Sequence, residues 1–322
     1  MNLIRSSVSG IDPPAQQVQT VLITGSSGLI GSALIPQLQA RGHRVIRAVR
    51  RNPRVDDEIR WRPLEPPEQI PAAERKAFDK LDAVIHLAGE DIASGRWSST
   101  KKKKLRSSRV DATANLVSLL QQLPSAPTTF ISASAIGGYP ANSDELLTEA
   151  ATFSSDFLGQ LCRDWESASS ALEEIGTRVV RLRIGLVLSP DGGILRKLLP
   201  LFRFCLGSRM GSGRQWMSWI DLEDLVQIIR FVLEDQSIEG SLNCTAPHSV
   251  RNVDFTRTLA AALRRPVAPP IPGPIIRLLL GEMGQSLILD GQRVAPTRLL
   301  DLGYRFTSPD LPAALRHQLR RR

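Results

Sequence analysis

The sequence predicts an α/β fold, a doubly wound parallel sheet with a small, mostly helical C-terminal lobe. Apolar β-branched runs at residues 21–24, 45–49, 83–87, 129–132 and 178–182 alternate with helix-period stretches at 29–40, 112–122 and 157–174. That rhythm belongs to βαβ units. The runs are apolar without alternation, as in strands covered by helices on both faces. After Leu188 the rhythm changes. A Leu-rich helix is expected over 194–205, then a glycine-rich loop at 207–213 leading to Trp216 and Trp219, a helix over 221–234, Pro-rich turns at 266–274 and a basic tail at 316–322.

At roughly 150 residues per domain, 322 residues allow about two domains. The expected division is a flexible leader at 1–18, a nucleotide-binding unit at 19–240 with substrate-loop insertions, and a lobe at 241–322. A hydrophobic content of 42% excludes a chain disordered throughout, and 23 Gly without a repeat exclude a collagen. Neither an 18-residue apolar run nor a secretory h-region is present, so no membrane association is expected. Cys162, Cys205 and Cys244 are scattered and odd in number, which argues against a disulfide framework or a metal site and for a reducing cytoplasm. The net charge of +9 is compatible with anionic partners. Nucleic acid is not expected among them, because only 5% of residues are aromatic and none interleaves with the run of lysines at 101–104. That run reads as a solvated helix face.

The most informative local pattern is Gly25, Ser26, Ser27, Gly28, Leu29, Ile30 and Gly31, between the first strand and the first helix. In such a turn the first glycine permits the bend and the second lets the backbone approach a pyrophosphate. The third allows close helix-to-strand packing, while the helix N-terminus offers free N–H groups. About 20 residues on, where an acidic side chain would meet the ribose hydroxyls of NAD, stand Arg50 and Arg51. Guanidinium forks suit a 2′-phosphate, which favours NADP(H) over NAD(H). The third strand ends in Leu87, Ala88 and Gly89, small enough to let a dinucleotide pass. His86 reads as a packed strand residue.

Taken together, TGSSGLIG, the strand-end HLAG and the Ser132-Ala133-Ser134 strand resemble the extended and atypical short-chain dehydrogenase/reductase superfamily. More narrowly, the chain resembles the NAD-dependent epimerase/dehydratase-like family, with its 39U-type members and their C-terminal domain of unknown function. The strings that carry this are LAGEDIASGRWS (87–98), SRVDAT (108–113), FLGQLCRDWE (157–166), GSGRQWMSWIDLEDLV (211–226) and the segment 277–306. The resemblance implies a Rossmann core, a nicotinamide cofactor and a C-terminal lobe closing over the substrate side.

It also implies a Tyr-x-x-x-Lys pair for acid/base work, and here the chain departs from it. Leu158 stands where the tyrosine belongs and Cys162 where the lysine belongs, with no lysine between Lys104 and Lys197. Ser132 and Ser134 remain as hydroxyls at the nicotinamide, with Ser134 and Tyr139 as candidate catalytic groups and Arg183 as a cofactor contact. Glu90, Arg96, Trp97, Arg109, Gln215 and Trp216 are the substrate candidates; arginine and tryptophan around a cleft favour an anionic, nucleotide-sugar-like ligand. Asp221 stands where relatives carry histidine. Two functions follow: an NADP-dependent oxidoreductase or epimerase-like enzyme, toward which the retained serines lean, and a non-catalytic NADP(H)-binding regulatory protein, toward which the missing pair leans. The oligomeric state, homodimer included, is left open.

Overall fold

The computed structural model describes residues 18–320; the expected leader, but for Val18, lies outside them. Seven parallel strands form the central sheet: β1 (Thr20–Thr24), β2 (Arg44–Val49), β3 (Glu58–Arg60), β4 (Ala83–His86), β5 (Thr129–Ala135), β6 (Arg178–Ile184) and β7 (Gly240–Cys244). Their spatial order is β7-β6-β5-β4-β1-β2-β3. The chain therefore reverses direction across the sheet between β1 and β4, and the crevice at their carboxyl ends is where such a sheet takes a ligand. Strands β3 and β7 were not among the expected runs. The first has three residues, and the second, Gly-Ser-Leu-Asn-Cys, has too little apolar content to announce itself. Because β7 pairs with β6 along its whole length, the sheet runs four residues past the expected boundary at 240.

Alternate strand residues feed two apolar layers. Val21, Ile23, Ile85, Ile131 and Leu182 pack against α1 (Leu29–Ala40) and a later helix, while Leu22, Val84, Phe130 and Val179 pack on the opposite face. That opposite face is covered by α3 (Ala112–Gln121), which continues a helical stretch begun by α2 (Ser99–Arg106) and a π turn (Ser107–Asp111). The expected helix over 157–174 breaks, giving α4 (Phe157–Ser167) and a separate 3₁₀ segment, Ser170–Ile175, that ends at Gly176 in the left-handed region.

Beyond β6 the longer helices are α5 (Gly193–Arg203), α6 (Leu222–Glu234), α7 (Asn252–Leu263), α8 (Gly273–Gly284) and α9 (Leu311–Arg320). Helices α5, α7 and α9 share a second core around Phe202, Trp219, Phe255 and Leu315. Trp219 is thus a packing residue. Its indole N–H donates to the His248 carbonyl. Helix α8 lies elsewhere, with Met283 against Trp97, Leu105 and Leu158 over α2 and α4.

Two fully buried carboxylates on the first turn of α6 hold the C-terminal segment to the sheet unit. Asp221 caps the helix through Glu223 N and accepts from Gln318 Nε2 at 2.9 Å, with His317 Nδ1 at 3.2 Å. Asp224 accepts the backbone N–H groups of Thr307 and Ser308 at 2.7 and 2.9 Å. At the position where the resemblance implied a histidine, Asp221 is therefore a structural cap. Asp224→Ala leaves two buried donors unsatisfied and should cost about 2–4 kcal/mol in urea unfolding, with trypsin cutting first within residues 305–320. A variant as stable and as protease-resistant as the parent would contradict this latch.

Candidate dinucleotide and substrate site

At the end of β1 the backbone turns at Gly25, whose φ of +69° lies in the left-handed region that glycine tolerates. A Cβ here would come within 2.8 Å of the Leu87 carbonyl carbon and oxygen, so β1 and β4 approach with no side chain between them. Gly31 is equally constrained: a Cβ would lie 2.5 Å from the Gly25 oxygen. Gly28 differs, since a Cβ there would meet only the Gly25 oxygen, at 3.1 Å, and otherwise faces open space. Gly28 is also the N-cap of α1, no side chain caps it, and no acidic residue stands in the first turn. The N–H groups there face outward unneutralised, so the residues present fit a pyrophosphate. Ser26 and Ser27 line this mouth, while Leu29 and Ile30 turn their side chains into the layer shared with α6.

A buried polar chain fixes the geometry beneath. Thr24 Oγ1 accepts from Leu87 N and Ala88 N, both at 3.2 Å, and lies 2.7 Å from His86 Nδ1; His86 Nε2 lies 3.0 Å from Thr113 Oγ1, which donates to the Arg109 carbonyl. With the Thr24 hydroxyl donating to Nδ1 and Nε2–H donating to Thr113, every member is satisfied by a neutral imidazole. Burial pushes the His86 pKa down to about 4. His86 is thus the packed residue expected.

On the adenosine side the two arginines part. Arg51 forms a fork on the buried Glu58, at 2.7 and 2.6 Å, and Arg47 reaches the same carboxylate at 3.2 Å. The Arg51 hydrogen bonds hold the Glu58 carboxyl well down, to about 2. Arg51 therefore braces the loop after β2. Arg50 beside it is exposed and has no side-chain partner among the described residues.

On the other side of the crevice Ser132 and Ser134, both buried, end β5. Ser134 Oγ donates to Glu166 Oε1 at 2.7 Å, and Arg183 grips the same carboxylate with Nε and Nη2 at 2.8 and 2.9 Å. Arg183 Nη1 also donates to the Tyr139 hydroxyl at 2.7 Å, and that hydroxyl donates to Asn243 Oδ1 at 2.8 Å. Tyr139 is fully enclosed, and burial raises its pKa. With its one proton committed to Asn243, its oxygen accepting from Arg183 and no path to solvent, Tyr139 takes the place of a brace. This departs from the acid/base role expected of it. Arg183 is likewise spent inside the molecule, which leaves it no fork for a phosphate. Of the residues that hold this network together, Asn243 had no local sequence signal, and Glu166 entered only as the last residue of the FLGQLCRDWE string.

The substrate candidates divide in the same way. Trp97 is buried, edge-on to Phe157, with its N–H on the Ile92 carbonyl. Gln215 is buried and bridges the Met210 and Ile288 carbonyls. Trp216 is covered on its ring by Arg251 at 3.8 Å and by Arg293 at 4.8 Å, with its N–H on Asp144, so the ring cannot stack a ligand base. Glu90 is paired with Lys101 at 2.7 Å, which lowers its pKa. Arg96 is exposed near the Leu278 carbonyl. Arg109 alone of these lies against Gly89 at the end of β4, 5.2 Å from the Trp165 ring. Two adjoining clefts of about 290 and 370 Å³ share Asn142, Ser212, Gln215 and Leu289 on the C-terminal side. Leu158 faces an apolar cluster, whereas Cys162 is buried with its Sγ 3.6 Å from the Ala135 carbonyl, and burial pushes the Cys162 thiol up to about 12, far from a nucleophile's range. No helix among the described residues is long and apolar enough to cross a membrane, and none of their side chains cluster as a metal site.

A family model for the NAD dependent epimerase/dehydratase family matches residues 21–244, and one for a domain of unknown function matches residues 271–318. An epimerase family protein of Mycobacterium bovis is 42% identical over 295 residues, which cover 92% of this chain and 96% of that protein. The chloroplastic epimerase family protein SDR39U1 homolog of Arabidopsis thaliana is 36% identical, covering 92% and 86%. Among solved structures, human epimerase family protein SDR39U1 (isoform2) with NADPH aligns with a TM-score of 0.84 at 33% identity, over 94% of this chain and 99% of that one. A nucleoside-diphosphate sugar epimerase from Corynebacterium glutamicum aligns at 0.77 and 37% identity, over 94% of this chain and 59% of that one.

Two outcomes test this geometry. The unfolded chain's histidine takes up a proton near pH 6.5 and the folded one only near 4. Stability is therefore lost as pH falls between those values, by about 3 kcal/mol from this residue. His86→Gln should flatten that part of the urea-midpoint profile. Gly31→Ala should lower the melting temperature sharply, whereas Gly28→Ala should melt close to the parent while abolishing dinucleotide binding. Equal melting losses in both would count against a backbone mouth at Gly28.

Proposed function

The chain belongs to the NAD dependent epimerase/dehydratase family, and from that membership we propose that it binds NADP(H) in preference to NAD(H) and moves a hydride to or from a small anionic, nucleotide-sugar-like substrate. The observation that carries this is the uncapped N-terminus of α1 behind the open Gly28, with Arg50, unpartnered among the described residues, just past the end of β2. The NADPH named with the human relative supports the same cofactor.

Gly25, Ser26, Ser27, Gly28 and the first backbone N–H groups of α1, with Gly31 packing beneath, would seat the pyrophosphate, and Arg50 the 2′-phosphate. Arg51 acts indirectly, by bracing the loop through Glu58. Leu87, Ala88 and Gly89 leave room along the end of β4, with Ser132 and Ser134 beyond them. When bound, the nicotinamide supplies or takes up the hydride. The chain's own part is the proton. With the Ser134 proton directed at Glu166, the serine oxygen presents lone pairs to a substrate hydroxyl. As the substrate O–H proton passes to Ser134, the serine proton passes to Glu166; reduction of a carbonyl runs the same transfers backwards. Arg183 holds Glu166 in place from the other side. Arg96 and Arg109 are the cations left to meet an anionic substrate, while Trp97, Gln215 and Trp216 build the walls.

A second reading, a non-catalytic NADP(H)-binding protein, is favoured by one observation: the only tyrosine near Ser134 is sealed between Arg183 and Asn243.

Calorimetry with NADPH and NADH tests the cofactor assignment. Arg50→Ala should weaken NADPH by about tenfold or more, as loss of a charged hydrogen bond does, and leave NADH nearly unchanged. Parent protein that takes up NADH more tightly than NADPH would overturn the preference. Mass identification of whatever co-purifies separates the two readings: a second small molecule, with turnover lost in Ser134→Ala, supports the enzyme.

A further inference from the structure

Among the described residues, the charged side chains around the carboxyl ends of β4 and β5 that are buried or half-buried cancel in pairs, except one. Arg183 is neutralised by Glu166, Arg181 by Glu173, and Lys101 by Glu90. Arg109 has no ion pair among the described residues. Its Nη2 donates to the Glu90 carbonyl at 3.0 Å, and its Nη1 lies 3.4 Å from the Leu105 carbonyl and from Ser108 Oγ. All three acceptors are neutral. Its guanidinium carbon stands over the Trp165 ring and 3.6 Å from where a Gly89 Cβ would be, which puts the cation in van der Waals range of the backbone just past the end of β4. Desolvation presses its pKa below the usual value, with Glu90 and the exposed Asp91 acting only as weaker opposing charges.

The backbone makes this placement. Arg109 sits in the π turn Ser107–Asp111 that interrupts the stretch between α2 and α3. An inserted residue re-aims the side chains of its turn, which is why such turns gather at functional positions.

With the pyrophosphate at the α1 N-terminus and the adenosine toward β2, the nicotinamide half of a dinucleotide runs toward β4 and β5. We propose that Arg109 sets which redox form of the cofactor the site holds: the unpaired guanidinium at the β4 end favours the reduced, uncharged nicotinamide over the oxidised, cationic ring. This rests on the NADP(H) reading above. At an effective dielectric of about 20, two like charges some 10 Å apart repel enough to change binding by about tenfold. The crevice therefore binds NADPH ahead of NADP⁺, and an anionic substrate arriving beside Arg109 relieves the discrimination.

The test is calorimetric titration of the full chain with NADPH and with NADP⁺, for the parent, Arg109→Gln, Arg109→Lys and Arg109→Met. The expected parent ratio is about tenfold or more in favour of NADPH. Arg109→Gln and Arg109→Met should bring it close to one, chiefly by tightening NADP⁺, and Arg109→Lys should restore it. Melting of the ligand-free protein gives a second readout. An uncompensated partly buried cation is a cost, so the neutral variants should melt no lower than the parent. A ratio unchanged in both neutral variants, or a loss of melting temperature without a change in ratio, overturns the proposal and leaves Arg109 a brace for the Glu90 loop. Failure of the parent to bind either form defeats the NADP(H) reading together with it, whereas NADPH bound ahead of NADH but level with NADP⁺ defeats this inference alone.

Discussion

Everything in this molecule that faces a ligand hangs on the approach of two parallel strands with no side chain between them. Gly25 leaves β1 where a Cβ would overlap the Leu87 carbonyl, and Thr24 binds the first two N–H groups beyond β4 from within. Any wider spacing would break those bonds and open the mouth ahead of α1. His86 and Thr113 extend the restraint to α3, so the crevice floor is held by a network in which every donor has an acceptor. A fully satisfied buried network of this kind has a single arrangement, which gives a binding surface its shape before any ligand arrives.

Commitment of charge shapes the rest. The chain carries 41 Lys and Arg against 32 Asp and Glu, yet much of that excess is spent on structure near the crevice. Glu58 engages Arg47 and Arg51, and Glu166 engages Arg183. Arg251 and Arg293 lie on Trp216. What the crevice retains is sparse and placed at its ends, Arg50 on the adenosine side and Arg109 on the other. A guanidinium fork bound to a carboxylate is geometrically satisfied and offers little to a phosphate, so the uncommitted side chains matter more than the total.

The replacements at Leu158 and Cys162 also have a structural logic. Leu158 enters the apolar cluster that receives Met283 of α8, and Cys162 packs against Gly138, where even a Cβ would meet it. The acid/base helix of the resemblance has become a docking face for the C-terminal segment, which is drawn in from its other end by Asp221 and Asp224 on α6. Near β5, the Ser134 hydroxyl is directed at Glu166, the pair to which the proposed function gives the proton.

The strand-helix rhythm, the glycine turn and the doubly wound sheet were legible in the sequence because they are local: apolar periodicity and three glycines at fixed offsets determine them without reference to distant residues. Strands β3 and β7 were not, since three residues at one edge and a polar pentapeptide at the other become strands only through a paired neighbour. The same holds for side chains. Sequence marked Arg50, Arg51 and Arg183 for the cofactor, Tyr139 for catalysis and Trp216 for the substrate, but residue type and position say nothing about who else reaches for the same group. Only tertiary structure put Glu58 under Arg51, Glu166 under Arg183, Asn243 against Tyr139 and two arginines on Trp216, because hydrogen-bonding capacity is finite and is assigned among residues as far as 104 positions apart.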